Sequence, residues 1–278
     1  MTLQTALRQG AEILDKNSVA APRLTAEVLL SHALRCDRAY LYAHGGDELT
    51  TVAWIHYGRY LDERLRGKPT QYITKKQEFY GREFRVTPDV LIPRPETEHL
   101  VEAAIAAIRT HSSERILDIG TGSGAIAITL ALETGVPVFA SDVSMKALAV
   151  ARENRDRHNA RVSFFCGDLA SAVAGRSIDL LVSNPPYVPG VDGANMQREV
   201  RDWEPHVALF AGDSGLEIYE RLTSEAAAVV RPGGRLMMEL GYRSLDAVRA
   251  MLKWDWTDIE TVFDLASLPR VIIAVRRF

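Results

Sequence analysis

The chain has 278 residues, 47% of them hydrophobic and 25% charged, with a formal net charge of −3. This excludes a disordered chain, predicts about two domains or one large α/β unit, and excludes nucleic-acid binding driven by bulk charge. Two cysteines, Cys36 and Cys166, make neither a disulfide framework nor a Cys-rich zinc site, so a reducing, cytoplasmic setting is expected.

The first elements read as helices. Leu3, Leu7, Ile13 and Leu14 recur at helical spacing. Leu24, Val28, Leu29 and Ala33 form a second stripe after Pro22, a good first helical residue. Asp37 to Ala43 fits a short helix closed by Gly45-Gly46. Thr50 or Thr51 caps a longer helix carrying Trp54, Ile55, Tyr57, Leu61 and Leu65, closed by Gly67. These stripes predict a small helical domain over residues 1–70.

Residues 71–90 change character. Gln77–Tyr80 and Glu83–Thr87 flank Gly81 and predict a linking β-hairpin. Leu91–Glu98 contains Pro93 and Pro95, which suit a rigid extended segment. A helix follows over Glu98–Arg109. From Arg115 strand-like and helix-like segments alternate: 115–119, 125–132, 136–140, 144–158, 162–166 and 178–182. A helix over 216–230 ends at the turn Arg231-Pro232-Gly233-Gly234, followed by a strand over 235–240, a helix over 244–252 and two final strands. Such alternation predicts an α/β fold: a doubly wound, mostly parallel sheet over residues 91–278. Ligands of such sheets bind at the carboxyl ends of the strands. The apolar run between Asp118 and Glu133 is too short and too glycine-rich to span a bilayer, and no membrane association is expected.

Gly120-Thr121-Gly122-Ser123-Gly124 lies between a strand and a helix. Glycines there allow positive φ and close approach of backbone N–H groups to a ligand. Asp142 ends the next strand, 18 residues past Gly124, where an acid can accept hydrogen bonds from both ribose hydroxyls of an adenosine. Loop and acid together point to an adenosine-containing cofactor and leave NAD and S-adenosylmethionine open.

Asn184-Pro185-Pro186-Tyr187 follows the fourth strand of the alternating unit and faces the same crevice. A conjugated NH2 group is a poor nucleophile because its lone pair is delocalised. The Asn184 side-chain oxygen and the Pro185 carbonyl can accept its two N–H groups. Pro185 and Pro186 stiffen the backbone, and Tyr187 can stack on the planar group. Orientation and electrostatics then supply the rate without an ionisable base. Hydride transfer has no use for this set, so NAD drops out.

These residues together resemble class I S-adenosylmethionine-dependent methyltransferases acting on planar amino groups. Leu91-Ile92-Pro93-Arg94-Pro95-Glu96-Thr97-Glu98, Trp203–Leu209, Gly212–Leu216 and the helical front extend the resemblance to the PrmC/HemK family, the protein-(glutamine-N5) methyltransferases of peptide chain release factors. The resemblance implies S-adenosylmethionine held by Gly120, Thr121, Gly122, Ser123, Gly124, Asp142, Leu169 and Asn184; Asp168, just before Leu169, is a further cofactor-binding candidate as an acceptor for the adenine amino group. It implies an acceptor held by Asn184, Pro185, Pro186 and Tyr187, with Asn184, Pro185 and Tyr187 acting in catalysis. The acceptor would be the glutamine of the Gly-Gly-Gln motif of class 1 release factors. Some relatives carry an aromatic residue at the position of Leu169, which here offers only an apolar contact. A pairing of Arg94 with Glu96 beside the cofactor and a loop-ordering role for Glu204 are further expectations.

No metal, no membrane, no stable nucleic-acid binding and a monomer are expected. The alternative is an adenine N6 or guanine N2 methyltransferase of nucleic acid. Its recognition region could only be residues 1–88, with 13 Lys/Arg against 10 Asp/Glu and no dense basic run; residues 89–278 have 20 against 26.

Overall fold

The computed structural model describes residues 1–278, the side chain of Ala194 excepted. By its internal contacts the chain forms two units. One is Met1–Lys76 with Gln197–Trp203; the other is Gln77–Met196 with Glu204–Phe278.

The first unit is helical. Helices α1 (Leu3–Lys16), α2 (Pro22–Leu34), α3 (Arg38–Ala43), α4 (Thr51–Leu65) and α5 (Thr70–Thr74) follow in order. Side-chain caps explain several of the starts: Thr2 accepts from the Thr5 amide, Asp37 from Tyr40 and Thr50 from Ala53. Pro22 opens α2. The core is Leu3, Ala6, Leu7, Leu14, Leu29, Leu30, Tyr57 and Leu61. Gly10 is needed for it, since a Cβ there would sit 1.9 Å from the Tyr57 hydroxyl. Ile13, Leu24 and Ile55 were expected in the buried stripes but face outward. In α2 the buried line runs instead through Ala26, Leu29 and Leu30 and carries Glu27, whose carboxylate takes Arg23, Arg38 and Tyr42.

The second unit takes in, from Gln77 on, the hairpin of β1 (Lys76–Phe79) and β2 (Arg82–Arg85). Its turn residues Tyr80 and Gly81 both have positive φ, 52° and 69°, which matches the twist of a two-residue hairpin. Phe79 and Phe84 bury against the main core. After the hairpin the chain makes a turn, the Val90 amide donating to the Thr87 carbonyl, and Leu91–Arg94 then runs without regular structure. A 3₁₀ turn follows over Pro95–Thr97, which corrects the wholly extended reading: Pro95 takes the first position, where its missing N–H costs nothing.

Next come α6 (Glu98–His111), β3 (Ile116–Ile119), α7 (Ala125–Thr134), β4 (Val138–Asp142), α8 (Met145–His158), β5 (Val162–Cys166) and β6 (Ile178–Ser183). After Tyr187, where only a long loop was expected, lie a 3₁₀ segment (Gly190–Asn195), α9 (Arg198–Trp203) and α10 (His206–Leu209). The chain ends with α11 (Glu217–Val229), β7 (Val230–Glu239), α12 (Leu245–Met251), β8 (Trp256–Phe263) and β9 (Pro269–Arg276).

The seven-stranded sheet has the order β5-β4-β3-β6-β7-β9-β8. Strands β3 to β7 pair in parallel, and β9 runs antiparallel to both β7 and β8. Alternate residues of each strand serve two cores. Ile116, Val138, Leu180 and Val182 pack with α6 and α7, whereas Leu117, Ile119, Leu181 and Leu236 pack with α11 and Trp256. The predicted turn at 231–234 lies inside β7. Ile178 pairs with Val230 and Leu180 with Arg235, so these four residues bulge from the strand, and Arg231 pairs with Asp179. No helix among the described residues is long and apolar enough to cross a membrane.

Candidate active site

Strand order decides where a ligand can sit. The chain runs from β3 outward to β5, then returns to place β6 on the other side of β3. This reversal opens a crevice at the carboxyl ends of β3 and β6. Ile119 pairs with both Ser141 and Ser183, and Ser183 with Met238. Gly120, Asp142, Asn184 and Glu239 therefore emerge level with one another.

The glycine loop is held from below. The amides of Gly120 and Thr121 both donate to the Ser141 carbonyl, at 2.9 and 3.0 Å. Gly120, Gly122 and Gly124 have φ of 73°, 54° and 83°, where any side chain would be strained. Gly124 is also close-packed, because a Cβ would lie 2.9 Å from Ile128. At Gly120 and Gly122 a Cβ would meet nothing within 4 Å, so the loop borders open space that a cofactor could fill.

Two carboxylates serve the loop. Asp118 is fully buried and accepts the Thr121 hydroxyl at 2.7 Å, while its Oδ1 has no partner. Burial pushes its carboxyl up to about 7, against the Thr121 hydrogen bond. Asp142 accepts the Gly122 amide at 2.9 Å on one oxygen and the Ser144 amide at 2.8 Å on the other. Burial raises this carboxyl too, and the backbone N–H groups oppose the rise. Each oxygen keeps a lone pair, which suits a ribose diol. The cap of α8 itself is Ser144, which accepts the Ala147 amide.

Asn184 donates from Nδ2 to Thr97 Oγ1 at 3.1 Å. Pro185 is buried behind it. The Tyr187 ring lies against Gly241, where a Cβ would come within 2.6 Å of the ring. Burial pushes the Tyr187 hydroxyl up to about 12, and the nearby Glu239 and Glu96 add to the rise. Glu204 is buried and binds the Ile92 amide at 3.2 Å and Arg94 at 2.5 Å. This corrects the expected pairing of Arg94 with Glu96. The glutamate comes from the far side of the loop after Tyr187, and its carboxylate reaches both the backbone and the guanidinium.

The crevice thus gathers Gly120 to Gly124, Asp142 and Asn184 to Tyr187. Asp168 and Leu169 follow the end of β5. Asp168 is exposed and pairs with Arg221 at 2.8 Å; Leu169 has a positive φ of 49° and packs on the α11 side of the sheet. Sequence reasoning missed Glu239 and gave Thr97 no role. Glu239 is buried, and burial pushes it up to about 7 although Thr97, Asn184 and Arg270 favour its charge. The available signal was a single acid ending the apolar run Leu236-Met237-Met238 at a strand's carboxyl end. Among the described residues no His/Cys/Asp/Glu group could hold a metal ion.

Over 275 residues the chain is 45% identical to a release factor glutamine methyltransferase of Koribacter versatilis, covering 98% of each. The chain belongs to the release factor glutamine methyltransferase family. A second member, from Nitratidesulfovibrio vulgaris, is 40% identical and matches 99% of this chain and 95% of its own. Residues 5–74 match the PrmC N-terminal domain and residues 97–200 the Methyltransferase small domain. Among solved structures, a methyltransferase from Pyrococcus furiosus superposes with a TM-score of 0.54 at 19% identity, over 80% of this chain and 100% of that one. This last likeness is one of fold. The family's methyltransferase match spans both the glycine loop and the Asn184–Tyr187 motif.

Proposed function

We propose that this chain transfers a methyl group from S-adenosylmethionine to the side-chain amide nitrogen of the glutamine in the Gly-Gly-Gln motif of class 1 peptide chain release factors. The observation that carries the reading is full-length membership of a family named for that reaction, combined with Asn184-Pro185-Pro186-Tyr187 beside the glycine loop. The N-terminal helices, residues 1–70, would bind the acceptor, residues 71–90 would link, and 91–278 would carry the chemistry.

When bound, S-adenosylmethionine supplies an electrophilic methyl group on a sulfonium. Gly120, Thr121, Gly122, Ser123, Gly124 and Asp142 would hold it, the glycine amides by close approach and Asp142 through its spare lone pairs. Leu169 would give an apolar contact. Asp168 would have to share its carboxylate with Arg221. On the acceptor side, the Asn184 oxygen and the Pro185 carbonyl take the two N–H groups of the glutamine amide. That fixes the nitrogen's direction and stabilises the positive charge that grows on its hydrogens in the transition state. Tyr187 packs on the amide plane. Its hydroxyl stays protonated at neutral pH, and no general base is needed: the nitrogen's surplus proton passes to solvent after the new bond forms.

The test is incubation with a class 1 release factor and labelled S-adenosylmethionine, with the methyl mapped by mass spectrometry. Label on the Gly-Gly-Gln peptide is expected. Label in DNA or RNA with none in the release factor would overturn the reading.

A further inference from the structure

We propose that Thr97 and Glu239 are positioning residues that fix which end of the Asn184 amide faces the acceptor. The inference rests on the methyl-transfer reading and adds to it the device that orients Asn184.

An asparagine amide has an accepting end and a donating end of nearly the same shape. Only one orientation offers oxygen to the N–H of a glutamine amide, and a flip would present N–H to N–H. The NH2 end of Asn184 donates to Thr97 Oγ1 at 3.1 Å. Thr97 is itself buried, at the end of the 3₁₀ turn that follows Arg94. Ser183 pairs with Met238, so Glu239 leaves β7 level with Asn184, and Thr97 and Asn184 both favour the charge of its buried carboxyl.

The direction of this relay follows from the chemistry of a carboxylate, which only accepts. Ionised Glu239 draws the one hydroxyl proton of Thr97. Thr97 Oγ1 then has only lone pairs left for Asn184, and these select the NH2 end. A flipped Asn184 would set its oxygen against the lone pairs of Thr97 and Glu239 in a buried site, where unmatched acceptors cost most. The backbone of Glu239 accepts the Tyr219 hydroxyl and pairs with Val271, which leaves its carboxyl for this role. Glu239 is 4% exposed at the end of β7, and Oε2 has no partner.

The relay also gives a pH signature. Glu96 from the 3₁₀ turn, Arg270 from β9 and the phenols of Tyr187 and Tyr219 face Glu239. Of these only Arg270 favours its charge, and burial holds the carboxyl at about 7. Protonated Glu239 can donate to Thr97, whose hydroxyl is then free to turn toward the Asn184 oxygen. The orientation is lost as pH falls through that range.

The test compares wild type, Thr97→Val, Thr97→Ser and Glu239→Gln in single-turnover methylation of a release factor, with calorimetric cofactor affinity and thermal midpoints alongside. Thr97→Val should lower the rate about tenfold or more while cofactor affinity stays within about threefold, and Thr97→Ser should restore the rate. The wild-type rate should rise with pH through neutrality, and Glu239→Gln should lack that rise. In an Asn184→Ala background, Thr97→Val should change the residual rate by less than about twofold. A full rate for Thr97→Val, or an equal loss in both backgrounds, overturns the inference. If Thr97→Val does not fold, the Glu239→Gln profile decides: a rise like wild type's overturns the relay. A wild type that puts no methyl on release factor overturns the methyl-transfer reading and takes this inference with it.

Discussion

Glu204 and Ile92 are joined by a buried hydrogen bond, the carboxylate accepting the backbone N–H at 3.2 Å. The same carboxylate binds Arg94. One side chain therefore ties the segment before α6 to the far end of the loop that follows Tyr187. The chemical motif lies between these two anchors in sequence, so the tie limits how far its loop can move.

Glu204→Gln should lower stability by ~1–3 kcal/mol, because it removes the charge that Arg94 faces and weakens the acceptor of a buried amide. Denaturant unfolding followed by fluorescence checks it. A midpoint equal to wild type's would mean that the loop is ordered by other contacts.

Asn184→Ala should reduce turnover on release factor by about a hundredfold or more, the scale of losing one aimed hydrogen-bonding group in a transition state. Cofactor affinity should change much less. Calorimetry with S-adenosylmethionine separates the two. Affinity lost in the same proportion would make Asn184 a cofactor residue only.

Gly241→Ala should act on the acceptor side. A methyl group there would meet the Tyr187 ring at 2.6 Å, so the ring must move. The expected result is a kcat lowered about tenfold or more with the protein folded and a stability cost of ~1–3 kcal/mol. Unchanged kinetics would remove Tyr187 from the acceptor's surroundings.

That Gly120–Gly124, Asp142 and Asn184 meet in one crevice was legible because each is a residue whose chemistry is visible in one dimension. Glycines between a strand and a helix, an acid ending the next strand, and Asn184 beside two prolines each announce a backbone or a polar need. What could not be read were partners distant in sequence. Arg94 has Glu96 two residues away and Glu204 across the loop, and only packing chooses between them. Glu239 looked like one more strand residue until β7 was placed beside β6, level with Asn184. The bulge at Arg231–Gly234 escaped for the same reason. Its glycines signal a turn, but Val230 already pairs with Ile178. The helical stripes were right in period and wrong at Ile13, Leu24 and Ile55, since each of these helices buries only part of an apolar face.

Asp118 predicts a pH dependence of stability. Its folded carboxyl sits at about 7, above the ~3.9 of an unfolded aspartate, so the folded state holds the proton more tightly. Its contribution is fully present below the unfolded value and is lost as pH rises through about 7. Asp118→Asn keeps an acceptor for the Thr121 hydroxyl and removes the titration. Stability of Asp118→Asn relative to wild type should therefore rise between pH ~4 and ~7 and level off above. Urea unfolding at several pH values measures the difference; a flat one would mean that Asp118 titrates as it does unfolded.

The helical front and the loop after Tyr187 share an ion pair. Arg64 of α4, 9% exposed, binds Glu199 of α9 at 2.6 Å, and Lys68 lies over the Trp203 ring at 5.8 Å. Deleting residues 1–70 would remove both cations together. Lost methylation after such a deletion therefore would not isolate acceptor binding by the helices. Arg64→Ala separates the two effects. It keeps the helical surface and removes the tie, leaving Glu199 without its buried partner at a cost of ~1–3 kcal/mol. If the tie orders the acceptor loop, kcat on release factor should fall while cofactor affinity holds. If the front serves only to bind the acceptor, Arg64→Ala should methylate at the wild-type rate, and activity should be lost only on deletion.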